Sequence, residues 1–158
     1  MNDINKIAEN LQMKILEQIK KDYSKKVIDH WQNPRNWGIM DKADGYGKIT
    51  GPCGDTMEIS ISAKNNKIVK CTFDTDGCGT SISCGSMITE MAIGKSIIEA
   101  KKITEKIVLD YCGGLPEEDM HCALLAANTL QTAIKNYEET KNESWKKLYR
   151  KPWVHSQK

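Results

Sequence analysis

Three cysteines stand where a loop gives way to a predicted strand or helix, and a thiol at such a position can do chemistry. Cys53 lies in a Gly-Pro-Cys-Gly-Asp turn, Cys78 has a glycine on each side, and Cys122 begins a helical pattern. Unpaired N–H groups and the dipole at a helix N-terminus favour the thiolate, which is both a metal ligand and a nucleophile. We therefore expect Cys78 and Cys122 to be accessible, thiolate-forming residues.

A carboxylate and an imidazole accompany these thiols. Asp55 lies two residues after Cys53, and His121 immediately precedes Cys122. Thiolates suit zinc, cuprous copper or an iron–sulfur cluster, and a mixed set of Cys, His and Asp suits zinc. The spacing alone leaves open the alternative that all three are ordinary free cysteines, because a reduced cysteine often packs as a small hydrophobe.

Two predicted strands bring the first two thiols together. Residues 57–63 alternate apolar and polar side chains, and residues 67–73 form the returning strand. In an antiparallel pair, the start of one strand lies beside the end of the other. Cys53 and Cys78 are therefore expected at the same edge of the sheet.

The other cysteines and one histidine fit structural roles. Cys71 alternates with apolar neighbours and is predicted to lie in the core, while Cys84 lies on an apolar helix stripe, which favours packing over a role as an extra ligand. Cys112 precedes a Gly-Gly pair, and no direct role is expected for it, with a redox or sulfur-relay role as the alternative. His30 is predicted to anchor the loop at 33–36.

Hydrophobic periodicity predicts an α+β domain: a small antiparallel three-stranded sheet with helices packed on one face. The first helix has an apolar stripe that is expected to pack on this domain or on a second copy. The predicted elements are a helix at 3–20, a short helix ending at Asn33, strands at 48–50, 57–63 and 67–73, a helix at 80–93, shorter helices at 96–101 and 104–111, and a helix from 117 to 137.

Three local details are predicted with these elements. The Asn65-Asn66 pair should form a tight turn, because asparagine tolerates positive φ. Val69 and Phe73 should share the buried face of the returning strand. Thr80 or Ser81 should cap the helix that follows Cys78.

Composition limits the class of protein. A chain of 158 residues fits one domain, and a net charge of +2 gives no overall attraction to nucleic acid. No stretch is long and apolar enough to span a bilayer, so no membrane partner is expected. Six cysteines without a secretory signal predict reduced thiols or metal ligands in the cytoplasm.

Six short motifs follow one another between Tyr23 and Tyr137. Together and in this order they resemble the U-type iron–sulfur cluster assembly scaffolds, the IscU and N-terminal NifU family. On this basis residues 1–22 are a helical extension, 23–137 the scaffold domain and 138–158 a basic tail. The motifs are Tyr-Ser-Lys-Lys-Val-Ile-Asp-His at 23–30, Asn-Pro-Arg-Asn at 33–36, Cys-Gly-Asp at 53–55, Gly-Cys-Gly at 77–79, Gly-Gly-Leu-Pro at 113–116 and Met-His-Cys at 120–122.

The resemblance implies a scaffold, not an enzyme, that takes sulfur from a cysteine desulfurase, binds iron, builds a labile [2Fe–2S] cluster and passes it to recipient apo-proteins. Cys53, Cys78 and Cys122 match the ligand cysteines, and Cys122 matches the first sulfur acceptor, which carries a persulfide. Asp55 matches the aspartate that keeps the cluster labile and can itself ligate. His121 matches the histidine beside the third cysteine. The same ligands commonly hold zinc when no cluster is present.

Alternatives to this function stay open. A zinc-bound persulfide acceptor could relay sulfur without building clusters. A plain electron-transfer protein is disfavoured by Asp55, because a stable redox centre more often has four firm ligands. A cluster shared within a homodimer also stays open, since three cysteines per chain leave one position for another ligand.

One position departs from the family. The residue two before the histidine is usually a lysine in the loop at which a dedicated Hsp70 chaperone docks. Here it is Asp119. We therefore do not expect such a chaperone as a partner.

Overall fold

The computed structural model describes residues 2–143, and within them the chain forms six α-helices and one sheet of three antiparallel strands. The predicted α+β class is confirmed. The elements are α1 Asn2–Asp22, α2 Lys25–Gln32, β1 Gly45–Thr50, β2 Thr56–Lys64, β3 Lys67–Thr75, α3 Gly79–Ala92, α4 Ile97–Ala100, α5 Glu105–Cys112 and α6 Met120–Asn142, with a 3-10 turn at Glu117–Asp119 before α6.

The central strand β2 follows the predicted alternation. Met57, Ile59 and Ile61 are fully buried on one face of the sheet, where α6 covers β1 and β2 and α3 covers β3. Asn65 and Asn66 both have positive φ, 53° and 60°, as a two-residue type I′ hairpin requires. The predicted turn and the covering of one face are both confirmed.

Strand β3 departs from the prediction at Val69. Ser62 pairs with Lys70, but the next residue Ala63 pairs with Ile68, so Val69 is an extra residue in a β-bulge. The bulge leaves Val69 48% exposed and places Ile68 in the core. The prediction that Val69 is buried was wrong because strict alternation holds only where the register is unbroken.

Helix α6 lies directly on the backbone of β1, because two glycines remove the side chains between them. A Cβ atom at Gly47 would lie 2.5 Å from the carbonyl oxygen of Thr129 and 2.7 Å from the amide nitrogen of Ala133. A Cβ atom at Gly45 would lie 2.5 Å from the carbonyl oxygen of Ala133. This close approach fixes the position of α6 relative to the sheet, and with it the residues at the start of α6.

His30 joins α2 to α3 and to the loop that follows α2. It is buried, and its Nδ1 lies 2.7 Å from Ser86 Oγ, which also accepts a hydrogen bond of 2.8 Å from the backbone N–H of Arg35. Burial lowers the pKa of His30, which favours the neutral ring. The predicted anchoring of loop 33–36 is confirmed.

Both edges of the sheet make hydrogen bonds to other parts of the chain. The N–H of Phe73 donates to Asn36 at 3.0 Å, and its carbonyl accepts from Gly38 at 2.8 Å. The loop at 94–95 makes two similar bonds near the start of β3. On the other edge, the N–H of Tyr46 donates to the side chain of Asn136 at 3.0 Å.

Helix α1 has no buried residue. Its large apolar side chains are exposed, including Ile4 at 72%, Leu11 at 55% and Ile15 at 59%. Packing of the apolar stripe on this domain is therefore excluded, because α3 and α6 already cover the apolar face of the sheet. Packing on a second copy stays a prediction.

The C-terminal part of the chain is described only in part. Helix α6 runs on past Tyr137 to Asn142, and residues 144–158, most of the predicted basic tail, lie outside the described residues. Among residues 2–143, no helix combines the length and apolar character needed to cross a membrane.

Candidate metal and sulfur site

Three chain segments meet at one end of the sheet, and together they carry every residue predicted for the site. The segments are the β1–β2 loop, the β3–α3 loop and the first turn of α6. The five residues are Cys53 and Asp55 in the first segment, Cys78 in the second, and His121 and Cys122 in the third.

Hydrogen bonds between backbone and side-chain groups join the first two loops. The N–H of Thr56 donates to Asp76 Oδ1 at 2.7 Å, and the Thr75 hydroxyl donates to the carbonyl of Thr56 at 2.7 Å. These bonds join the residue after Asp55 to the residues just before the Cys78 loop. The predicted meeting of the two loops at one edge is confirmed.

Three donors of different chemistry face one another at the mouth of the site. Ligand atoms of Cys53, Asp55 and His121 all lie within 4.8 Å of one another. A thiolate, a carboxylate and an imidazole at this spacing can bind zinc or ferrous iron after small side-chain movements. The exposed Cys53 thiol is open to a metal arriving from solvent.

The Ser81 hydroxyl lies at the centre of the site. It is fully buried in the first turn of α3, where its Oγ lies 3.3 Å from Asp55 Oδ2, 3.3 Å from Cys122 Sγ and 3.9 Å from Cys78 Sγ. The predicted cap at Thr80 or Ser81 was wrong, because Cys78 is the N-cap residue and no side chain caps the helix. The sequence carried no signal for this central position beyond a serine in a glycine-rich turn.

Two glycines keep space around Cys78. A Cβ atom at Gly77 would lie 2.8 Å from Asp55 Oδ2, and one at Gly79 would lie 2.2 Å from the indole ring of Trp31. The ring therefore packs directly on the backbone beside the cysteine. Cys78 stays exposed, as its glycine neighbours predicted.

Cys122 lies deeper than the other two cysteines. It is fully buried beneath Ser81, and its Sγ lies 3.6 Å from His121 Nε2. Burial raises its pKa to about 12, so the thiol is protonated at neutral pH. The prediction of an accessible, thiolate-forming Cys122 was wrong for this conformation, because desolvation outweighs a helix-terminus effect of about 0.3–1 kcal/mol.

A hydrogen-bonded link holds the turn before Cys122 in place. The carboxylate of Asp119 accepts hydrogen bonds from the Tyr23 hydroxyl and, at 3.4 Å, from the Thr80 hydroxyl. The bond to Asp119 is the main cause that raises the pKa of Tyr23 to about 12. Asp119 therefore joins the start of α6 to α3 and to Tyr23, the residue that follows α1.

The difference in burial predicts an order of alkylation. At pH 8 we expect iodoacetamide to label Cys53 and Cys78 in the native protein at least about tenfold faster than Cys122. Because the pKa of Cys122 is raised, its rate should increase with pH well above 8, as the thiolate fraction grows. Peptide mass spectrometry over a time course measures the rates, with denatured protein as the control. Equal native rates for Cys122 and Cys53 would contradict the burial.

Comparisons with known proteins agree with this arrangement. The NifU-like N terminal domain family matches residues 22–144. The "Iron-sulfur cluster assembly scaffold protein IscU 1" of Archaeoglobus fulgidus is 52% identical over 116 residues, which cover 73% of this chain and 76% of that protein. The scaffold protein IscU of Aquifex aeolicus is 43% identical over 119 residues, with the same shares of the two chains.

A solved structure supports the fold. The N-terminal part of a nitrogen-fixing NifU-like protein from Brucella abortus has a TM-score of 0.61 at 16% identity, over 77% of this chain and 97% of that one. At this identity the likeness concerns the fold alone.

Proposed function

The chain belongs to the NifU-like N-terminal domain family, and from this membership we propose that it is a scaffold on which an iron–sulfur cluster is assembled and then released. The observation that carries the proposal is the meeting of three cysteines, an aspartate and a histidine at one end of the sheet. Relatives 43–52% identical are named as scaffold proteins for iron–sulfur cluster assembly, which supports the same role. The partners of such a scaffold are a sulfur donor and recipient apo-proteins.

The combination of three thiolates with one oxygen or nitrogen ligand suits a cluster that is assembled on the protein and then passed on. Cys53, Cys78 and Cys122 would hold the iron atoms of a [2Fe–2S] cluster through thiolates, the ligands that bind such clusters most firmly. Asp55 or His121 would take the remaining position. An oxygen or nitrogen ligand exchanges more readily than a fourth thiolate, so the cluster can leave.

Sulfur would arrive on Cys122 as a persulfide from a cysteine desulfurase. Because Cys122 is buried, this step needs the turn Glu117–Asp119 to move away from α3. The bonds of Asp119 to Tyr23 and Thr80 are the contacts that such a movement breaks. The same burial shields a persulfide from water and from other thiols once the turn has closed.

Anaerobic reconstitution with iron, cysteine and a cysteine desulfurase tests the proposal. We expect the absorption and Mössbauer spectra of a cluster in the wild type, and a loss of at least about tenfold in cluster content when Cys53, Cys78 or Cys122 is changed to serine. Cys71→Ser is the matched control, because Cys71 is buried in β3 away from the site loops. Full cluster content in all three site variants would contradict the assigned ligands.

A second candidate function is a zinc-bound persulfide acceptor that relays sulfur without building a cluster. The spacing of Cys53, Asp55 and His121 favours it, because zinc binds such mixed donor sets. Metal analysis after the same reconstitution separates the two functions. A colourless protein that keeps zinc and carries persulfide on Cys122 would establish the relay.

A further inference from the structure

Helix α1 carries an apolar stripe that the described residues 2–143 leave exposed. Ile4, Leu11 and Ile15 are each more than half exposed, Ala8 between them is exposed as well, and no residue of the helix is buried. The four side chains follow one another in steps of four, three and four residues, which is the spacing of a coiled-coil seam. Such a seam is suited to packing on another helix.

The charges of α1 balance, and this balance bears on the kind of partner. Four acidic and four basic side chains give the helix a net charge of zero: Asp3, Glu9, Glu17 and Asp22 against Lys6, Lys14, Lys20 and Lys21. A helix that lies on an anionic membrane is usually rich in lysine and arginine on its polar face. The balance instead favours a partner that carries both signs of charge, as a second copy of the same helix does.

The signs of these charges are reversed about the middle of the helix. Three pairs of residues at equal distances from the midpoint have opposite signs: Asp3 with Lys20, Lys6 with Glu17, and Glu9 with Lys14. In an antiparallel pair of helices, the two members of each pair come to the same level along the axis, so opposite charges face each other's copy. In a parallel pair each charge would lie at the level of its own counterpart, like beside like.

The apolar residues match in the same antiparallel arrangement. With the charges aligned, Ile4 comes to the level of Ile19 of the second copy and Ala8 to the level of Ile15, while the two Leu11 side chains meet near the middle. The seam therefore places apolar side chains opposite apolar side chains over most of its length.

One charged pair lies close to this seam. Asp3 and Lys21 are 18 residues apart, which is five full turns, so they lie on the same side of the helix beside the stripe. A two-fold axis brings that side of one helix against the same side of the other. Asp3 of each copy can therefore form an ion pair with Lys21 of the other.

We propose that α1 is a dimerisation helix, which pairs in antiparallel orientation with α1 of a second copy through the stripe Ile4, Ala8, Leu11 and Ile15. The interface is isologous, because both copies contribute the same surface. This inference goes beyond the proposed function, since the pairing requires neither iron nor sulfur.

The antiparallel arrangement separates the two metal and sulfur sites. Tyr23 follows α1 directly, and its hydroxyl donates a hydrogen bond to Asp119, three residues before Cys122. A helix of 21 residues is about 30 Å long, so the ends that carry the two Tyr23 residues lie about this far apart. Each copy would therefore hold its own cluster, with no ligand from the other copy.

Sedimentation equilibrium of the full chain, reduced and free of metal, tests the pairing. From about 1 μM to about 1 mM protein we expect a monomer–dimer equilibrium. Leu11→Glu should weaken the dimer at least about tenfold, because it places a charge at the centre of the seam. Met13→Glu is the matched control, since Met13 is an exposed apolar residue on the opposite side of α1, and it should keep the wild-type equilibrium. Both positions are exposed within one chain, so circular dichroism should show both variants folded.

A carbodiimide, which joins a carboxylate to an amine in contact with it, tests the orientation. We expect peptide masses that link Asp3 to Lys20 or Lys21. Within one chain these residues are about 25 Å apart along the helix, so the link must join two copies. Asp3→Asn is the control, because it removes the carboxylate and leaves the stripe intact.

Cluster content tests the separation of the sites. After anaerobic reconstitution, we expect the monomeric Leu11→Glu variant to hold as much cluster per chain as the wild type. A loss of half or more in this variant would show a cluster shared between copies and would overturn the antiparallel arrangement. No cluster in either protein would remove the scaffold function and leave the dimer standing.

Three other outcomes would overturn the inference. A protein that stays monomeric over the whole concentration range would exclude the dimer, and its sedimentation with anionic phospholipid vesicles would assign the stripe to a membrane instead. Equal effects of Leu11→Glu and Met13→Glu would place the dimer interface elsewhere. A dimer without the link from Asp3 would contradict the antiparallel orientation.

Discussion

Transfer of a reconstituted cluster to apo-ferredoxin should slow by at least about tenfold when Asp55 is changed to alanine, which corresponds to about 1.4 kcal/mol in the activation free energy. The carboxylate is one of three donor groups within 4.8 Å of one another at the mouth of the site. In the proposed site, its loss removes the readily exchanged oxygen ligand and leaves the three thiolates as ligands of the cluster. In the wild type the Ser81 hydroxyl donates to both Asp55 and Cys122. Without the carboxylate, this hydroxyl is free to stabilise the thiolate of Cys122 alone.

The measurement is the rate of appearance of the ferredoxin spectrum after mixing with the loaded scaffold. Asp41→Ala is the matched control, because it removes an exposed carboxylate from the turn before β1. We expect this control to transfer its cluster at the wild-type rate. Transfer from the Asp55 variant as fast as from the wild type would show that Asp55 does not set the lability of the cluster.

The second large effect concerns stability. Gly47→Ala should lower the free energy of unfolding by about 2–3 kcal/mol, because the added methyl group would lie 2.5 Å from the Thr129 carbonyl oxygen and 2.7 Å from the Ala133 nitrogen. Both neighbours are helix backbone, so neither can rotate away. Urea denaturation followed by circular dichroism measures the change.

Gly51→Ala is the control for this change. A Cβ atom at Gly51 meets nothing closer than 3.7 Å, so the methyl group fits, and the free energy of unfolding should rise by no more than about 1 kcal/mol. Both substitutions restrict the unfolded chain in the same way, by about 0.4–1 kcal/mol, and their difference therefore isolates the clash. Equal stability of the two variants would mean that α6 does not depend on this close approach.

A displaced α6 should also affect the site. His121 and Cys122 lie in its first turn, so a shift of the helix against β1 moves both relative to the Cys53 and Cys78 loops. In a Gly47→Ala protein that still folds, we expect Cys122 to react faster with iodoacetamide than in the wild type.

Local patterns predicted much of the fold. The alternation of β2 depends only on the pleat of a strand, and the Asn65-Asn66 turn depends only on the tolerance of asparagine for positive φ. The cysteine loops of the site followed from the same strands, since an antiparallel pair must bring Cys53 and Cys78 to one edge. These predictions needed no knowledge of how the helices pack.

The errors lie where distant segments decide the outcome. The bulge at Val69 depends on the register between β2 and β3. The alternation of side chains within one strand does not reveal this register. The burial of Cys122 depends on the packing of α6 against α3, which removes the thiol from water. The position of a cysteine at a helix start does not reveal this packing. The central position of Ser81 in the site results from the meeting of three segments that are distant in the sequence, so the residues around it in the sequence do not predict it.

The hydrogen bonds at the two edges of the sheet have a consequence for aggregation at high protein concentration. A free edge is a template on which a strand from another chain can add, and such growth leads to fibres. Here the loops at 36–38 and 94–95 make hydrogen bonds to the backbone of Phe73 and Ile68 in β3, and the side chain of Asn136 accepts one from the N–H of Tyr46 in β1. The half-exposed Lys48 adds a charge to β1. These contacts disfavour the addition of a foreign strand at either edge, while Cys53 and Cys78 remain exposed to partner proteins at the end of the sheet.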